Sequence, residues 1–136
     1  MPYELRAHTA DIAVEATGAD FEAVFEAVAD GLTAAHCEEI PDEGGDRFGF
    51  AVHAESREAL LFDYLDELIY QRDVRELLPT DHEVRIHWED EWILEGYARG
   101  VPLDAVEARE IKAVTYSEMR LEETDDGWVA YVVFDV

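Results

Sequence analysis

Two acids stand out by where they fall. Asp11 lies in His8-Thr9-Ala10-Asp11, between two short strand-like stretches. Asp135 closes the run Trp128 to Val136, which alternates aromatic and β-branched residues as a buried strand does. Such a strand predicts an ordered end. The Asp135 side chain, its carbonyl and the α-carboxylate of Val136 would then be held at one tip. Hard cations take several oxygens held close together. If the first and last strands are neighbours, Asp11, Asp135 and Val136 form an oxygen-rich metal site from the two ends of the chain. The alternative is that Asp135 is a solvated strand end. An acid among apolar neighbours needs a hydrogen bond, a partner or a cation. Asp11 adjoins Ala10, Ile12 and Ala13, and Asp135 shares a strand face with Val129, Tyr131 and Val133.

Other candidates are weaker. His8 suits a core or edge position as well as a ligand role. Thr9 can cap the turn through its hydroxyl. Lys112 is the only lysine beside nine arginines, so a compact ammonium could be required there against a carboxylate or phosphate. Thr115 and Tyr116 follow it on the same strand pattern. His36-Cys37 is adjacent rather than spaced as a zinc pair, and there is no second cysteine. His53, His82 and His87 read as surface or edge residues of strands. No phosphate-binding glycine loop or nucleophile elbow is present.

These residues must be positioned by one domain, residues 1–136. Tyr3–Arg6 and Ile12–Ala16 read as short strands. Asp20 caps a helix whose apolar face is Phe21, Val24, Phe25, Val28 and Leu32, ending near His36. Pro41–Asp46 is a loop and Arg47–Ala54 a half-buried strand. Ser56 caps a second helix with a wide stripe from Leu60 to Ile69, and Pro79 closes the turn after it. Strands follow at Val84–Trp88 and Trp92–Arg99, then an acidic connector, Pro102–Glu110. Ile111–Tyr116 and Met119–Glu123 read as strand, and Asp125-Asp126-Gly127 as a hairpin turn. Two helices among seven or eight strands predict an α+β fold, with both helices packed on a mostly antiparallel sheet.

Composition narrows the function classes. The formal net charge is -24, from 34 acids against 10 bases. Acid-rich and nearly lysine-free is the pattern of a cytoplasmic protein in a salt-accumulating, halophilic organism. High salt screens that repulsion. No basic face is visible for direct nucleic-acid binding. No apolar run is long enough to span a membrane, and no signal peptide is evident.

Taken together, the motifs resemble the archease family. His8-Thr9-Ala10-Asp11 is similar to its HTAD signature, and Lys112-Ala113-Val114-Thr115-Tyr116 to its KAVTY motif. Leu60 to Tyr70 resembles its "LL…WLNELLY" helix, with Asp66 where Asn is usual. Phe134-Asp135-Val136 resembles its ending. Two departures are visible: Ser117 replaces the His that usually follows KAVTY, and the connector has no His.

The resemblance implies an SHS2-like arrangement of strands and helices. It also implies a non-catalytic partner of RtcB-type tRNA ligases in tRNA splicing, promoting guanylylation of the ligase and its multiple turnover. Carried over, the family's metal site falls on Asp11, Asp135 and Val136. The cation implied is calcium in crystals, with magnesium or manganese as functional alternatives. His8, Thr9, Lys112, Thr115 and Tyr116 would support the site or meet the partner. Two rival classes remain: a general interaction module or chaperone for RNA-modifying enzymes, and a metal-dependent hydrolase using Asp11 and Asp135.

Overall fold

The computed structural model describes residues 2–8 and 11–136, the side chains of residues 6–8 excepted. Seven strands and two α-helices are found among them. The order is β1 Tyr3–His8, β2 Asp11–Gly18, α1 Phe21–His36, β3 Asp46–Ala54, α2 Arg57–Arg75, β4 Leu77–Trp88, β5 Trp92–Pro102, β6 Ala113–Thr124 and β7 Gly127–Asp135. The α+β architecture read from the sequence is what the structure shows. The strands divide between two sheets, one ordered β1-β2-β7-β6 and the other β3-β5-β4. Every pairing is antiparallel.

Both helices begin where the sequence places a cap. Asp20 accepts from the Ala23 N–H at 2.7 Å, and Ser56 from the Ala59 N–H at 3.1 Å. Each satisfies a donor that the first helical turn leaves without an internal partner. α1 packs against β2 and β4, and α2 against β6 and β3, so each helix touches both sheets. Gly31 allows the close approach of α1, because a Cβ there would come within 2.5 Å of a Val14 methyl. The shared core contains Phe25, Leu60, Leu61, Tyr64, Leu65, Leu94, Val132 and Phe134, all essentially without solvent contact. No helix among the described residues is long and apolar enough to cross a membrane.

One expectation requires correction, and another is met only in part. Pro79 does not close a turn; it lies inside β4, paired with Gly100. β4 is an edge strand, where a residue without an N–H leaves no ladder bond broken. His82, expected at a surface or edge, does lie on the edge strand β4, but it is half-buried with its ring turned inward. β4 loses its regular register between Thr80 and Glu83, with Asp81 at φ 50°. An irregularity of this kind re-aims a side chain. His82 Nδ1 is buried, while its Nε2 lies 2.7 Å from the Thr33 hydroxyl on α1.

Candidate functional site

The position of Asp11 follows from register. β7 pairs with β2, not with β1, and Asp11 opens β2. The pairs Ile12↔Phe134, Ala13↔Val133 and Val14↔Val132 run toward the chain end. One further step sets Asp11 opposite Asp135. His8 pairs with Asp11 on one side, and Ala113 with Asp135 on the other. One row across the end of the sheet thus holds His8, Asp11, Asp135 and Ala113.

The face follows from alternation. Ile12, Val14, Val132 and Phe134 belong to the core beneath the helices. Their neighbours Asp11 and Asp135 must project from the opposite face, because successive side chains alternate along a strand. Directly opposed residues of an antiparallel pair have Cβ atoms about 4.5–5.5 Å apart. Asp11 is partly exposed and Asp135 exposed, with Val136 38% exposed beside it. Two carboxylates therefore share one face at one sheet end, next to the Val136 carboxylate.

The rest of the expected set divides. Lys112 contributes through its backbone: its N–H donates to the Asp135 carbonyl at 2.8 Å, tying the last residues to the strand beside them. Its side chain is exposed. Thr115 pairs with Val133 and so lies on the face of the acids. Its hydroxyl accepts from the Ser117 N–H at 3.2 Å, bracing the irregular stretch of β6 that follows. Tyr116 is turned the other way. It stacks on Phe62 of α2, with ring centroids 4.1 Å apart and planes 8° from parallel. The expected roles of the His8 side chain and of Thr9 lie outside the described residues.

The donors that Asp11, Asp135 and Val136 offer at the sheet end are carboxylate oxygens. Among the described residues no three His, Cys, Asp or Glu side chains gather as a metal cluster. A cation held by these residues would draw on the Val136 carboxylate besides Asp11 and Asp135. Carboxylate oxygens suit calcium, magnesium or manganese and not a soft-ligand metal. An open groove of about 1230 Å³ runs elsewhere, past Cys37, Glu38, Ile40 and Arg109, and contains none of these residues.

The sequence reading missed a buried polar seam between α1, α2 and β4. Glu22 and Glu26 accept from the Ile86 and Val84 N–H groups, each at 2.9 Å. Four residues along a helix and two along a strand both advance about 6 Å. The two carboxylates therefore match alternate donors on the free edge of β4. Burial pushes Glu26 upward, opposed by its bond to Val84. Burial, with Glu26 and Asp81 nearby, raises Asp30 to about 6.

The two buried histidines are held neutral. His36 Nδ1 donates to the Leu32 carbonyl at 3.0 Å, and Nε2 accepts from Arg72 at 2.6 Å. Burial and then the Arg72 charge lower it to about 4. His82 is lowered to about 3, chiefly by burial. The Thr33 hydroxyl points its proton toward the Pro79 carbonyl at 2.8 Å, leaving His82 Nε2 as the donor to Thr33. The i, i+4 spacing of Glu22, Glu26 and Asp30 was the available signal for this seam. His53 and His87 do stand at the surface, beside Glu91 at 3.3 Å and Glu89 at 3.5 Å.

Comparison with known proteins places the chain in a family. Residues 3–136 match the model of the Archease protein family (MTH1598/TM1083). A protein archease of Pyrococcus furiosus is 36% identical over 134 residues, covering 95% of this chain and 94% of its own length. One of Methanopyrus kandleri is 35% identical, with both chains fully covered. The solution structure of Methanobacterium thermoautotrophicum protein 1598 superimposes with a TM-score of 0.87 at 30% identity, covering 99% of each chain. A Thermotoga maritima crystal structure, described as an archease and possible chaperone, gives 0.65 at 26% identity, covering 98% of this chain and 96% of its own. The acid-ended sheet thus sits in a chain that belongs to the Archease family.

Proposed function

We propose that this protein is a non-catalytic activator of an RtcB-type tRNA ligase, working through a divalent-cation site at the end of the four-stranded sheet. The observation that carries the reading is the β2–β7 register, which sets Asp11 opposite Asp135 on the outward face. Asp11, Asp135 and the Val136 carboxylate would hold the cation. The Lys112 N–H donates to the Asp135 carbonyl and ties the end of β7 to the residue before β6. A bound divalent cation supplies positive charge that offsets the charge on transferring phosphoryl oxygens. The acids themselves act by placement: they present a negative, outward cluster to the mouth of a partner's active site. Lys112, whose backbone lies beside Asp135, would temper that charge or contact the ligase. The surface is acidic throughout, with a net charge of -24, which suits a protein partner and not direct nucleic-acid binding.

A second reading is a general chaperone or interaction module, favoured by the description of the Thermotoga relative as a possible chaperone. The separating experiment is guanylylation of the cognate ligase with and without this protein. Faster guanylylation and multiple turnover support the activator. An unchanged rate, with the ligase merely more soluble or stable, supports the module. Turnover of a phosphoester by this protein alone would support a hydrolase instead.

A further inference from the structure

Four aromatic rings of this fold are covered by its own arginines. Arg57 lies over Phe21, Trp92 and Trp128 at 5.4–5.8 Å, and Arg75 over Phe48 at 4.9 Å. The Phe62–Tyr116 stack is different. Tyr116 offers one ring face to Phe62 and remains 55% exposed, and no arginine among the described residues covers it. An open ring face is a site for a cation, and guanidinium groups use it most often.

The stack is also continuous with the outward side of α2. Residues four apart on a helix lie on one ridge. Phe62, Asp66, Tyr70 and Val74 follow that spacing, and Tyr70 and Val74 are 56% and 60% exposed. Asp63 is adjacent, and its charge helps raise the Tyr116 hydroxyl. The ridge therefore combines an open aromatic face, two flanking carboxylates and two exposed apolar side chains.

We propose that this ridge, Tyr116 with Asp63, Asp66, Tyr70 and Val74, is the docking surface for an arginine-bearing basic face of the partner enzyme. The inference rests on the activator reading. An enzyme that handles RNA carries basic surface to meet phosphates. An arginine of such a surface would stack on Tyr116 and face Asp63 and Asp66, while Tyr70 and Val74 fill apolar contacts. A second copy of this chain is a poor occupant, because two bodies of charge -24 repel. Docking and activation are then separate: the ridge binds, and the acid end of the sheet acts.

The test measures the affinity of the purified ligase for wild type, Tyr116→Ala, Tyr116→Phe, the double variant Tyr70→Glu/Val74→Glu, and Trp88→Ala, at one fixed KCl concentration. Trp88 is 57% exposed on the β4–β5 hairpin and serves as the control. Tyr116→Ala should weaken binding about tenfold, the scale of a desolvated cation–π contact. Tyr70→Glu/Val74→Glu should weaken it at least as much. Tyr116→Phe should bind nearly as wild type, because the ring face is kept, and Trp88→Ala should be unchanged. At saturating concentration every variant should still stimulate guanylylation. If Tyr116→Ala does not fold, the solvent-exposed Tyr70/Val74 pair decides the matter. Equal affinity of the ridge variants and wild type, while wild type stimulates the ligase, overturns the docking surface and leaves the activator reading intact. Failure of wild type to bind or stimulate at all overturns both.

Discussion

The two ends of the four-stranded sheet are built on opposite principles. At one end, Trp128 opens β7 beside Phe21 at 4.8 Å, Phe21 meets Trp92 at 5.4 Å, and Arg57 covers all three rings. That end joins the starts of both helices to both sheets by ring burial and cation–π contact. At the other end, the same strand finishes on Asp135, set against Asp11. Like charges directly opposite on paired strands are destabilising. One end supports the fold by ring burial, and the other gathers carboxylates at the surface.

Salt should separate the ends most broadly. The charge of -24 predicts that thermal stability rises from dilute buffer to molar KCl, where the screening length shrinks to about 3 Å. A melting series reads this directly, and a flat or falling series contradicts it. The acid end should benefit and the aromatic end should not.

Trp128→Ala should then cost about 3–5 kcal/mol at any salt concentration, the usual scale for truncating a buried aromatic. Trp128 is only 9% exposed. Denaturant midpoints compared at low and high KCl would show a penalty that does not shrink with salt.

Asp135→Asn should do the reverse. Losing one of two opposed charges should leave stability unchanged or raise it by up to ~1 kcal/mol at low salt. Stimulation of the ligase should nevertheless be lost. One extra residue after Val136 should have the same consequence, since it moves the α-carboxylate. Single-turnover guanylylation beside circular dichroism distinguishes loss of function from loss of fold.

The smallest effect is on pH, and it tests the seam that joins α1 to β4. His36 and His82 sit at about 4 and about 3 in the folded protein, against an ordinary 6.5. Below pH 6.5 the unfolded chain takes up protons that the folded chain refuses, so stability falls as the pH drops through that window. Asp30, raised from 3.8 to about 6, works the other way and gains stability as the pH falls through 6. Glu26 and Asp63, also raised by burial, act in the same sense as Asp30, but the two histidines are moved furthest and set the slope. Thermal melts between pH 7 and about 4 should therefore slope downward toward acid. His82→Gln should flatten that slope and Asp30→Asn should steepen it.

Much of this architecture is written in local sequence. Asp20 and Ser56 announce the helix starts because capping is a matter of three or four residues. Asp125-Asp126-Gly127 announces the β6–β7 turn for the same reason. The pairing of β7 with β2 is not local. It joins residues more than a hundred positions apart, and the same alternation would serve a β1–β7 pairing. Asp11 and Asp135 could be named as candidates from their apolar neighbours, but only the register puts them face to face. The inward turn of the His82 ring was not legible because strand alternation assumes an unbroken register, and β4 breaks its own at Asp81. Tyr116 could not be assigned a partner from KAVTY alone, since Phe62 reaches it from another element.

The central claim is that Asp11 and Asp135 share one cation. The most direct test is a calorimetric titration of wild type, Asp11→Asn and Asp135→Asn with calcium, repeated with magnesium and manganese, at high fixed KCl. The account predicts one site per chain in wild type. Each variant should weaken it at least as much as the roughly 10–100-fold seen when outer partners of a metal site are removed. The double variant should be little worse than either single one, because both act on one site. Wild type that takes up no divalent cation, or two losses that simply add as independent sites do, would contradict it.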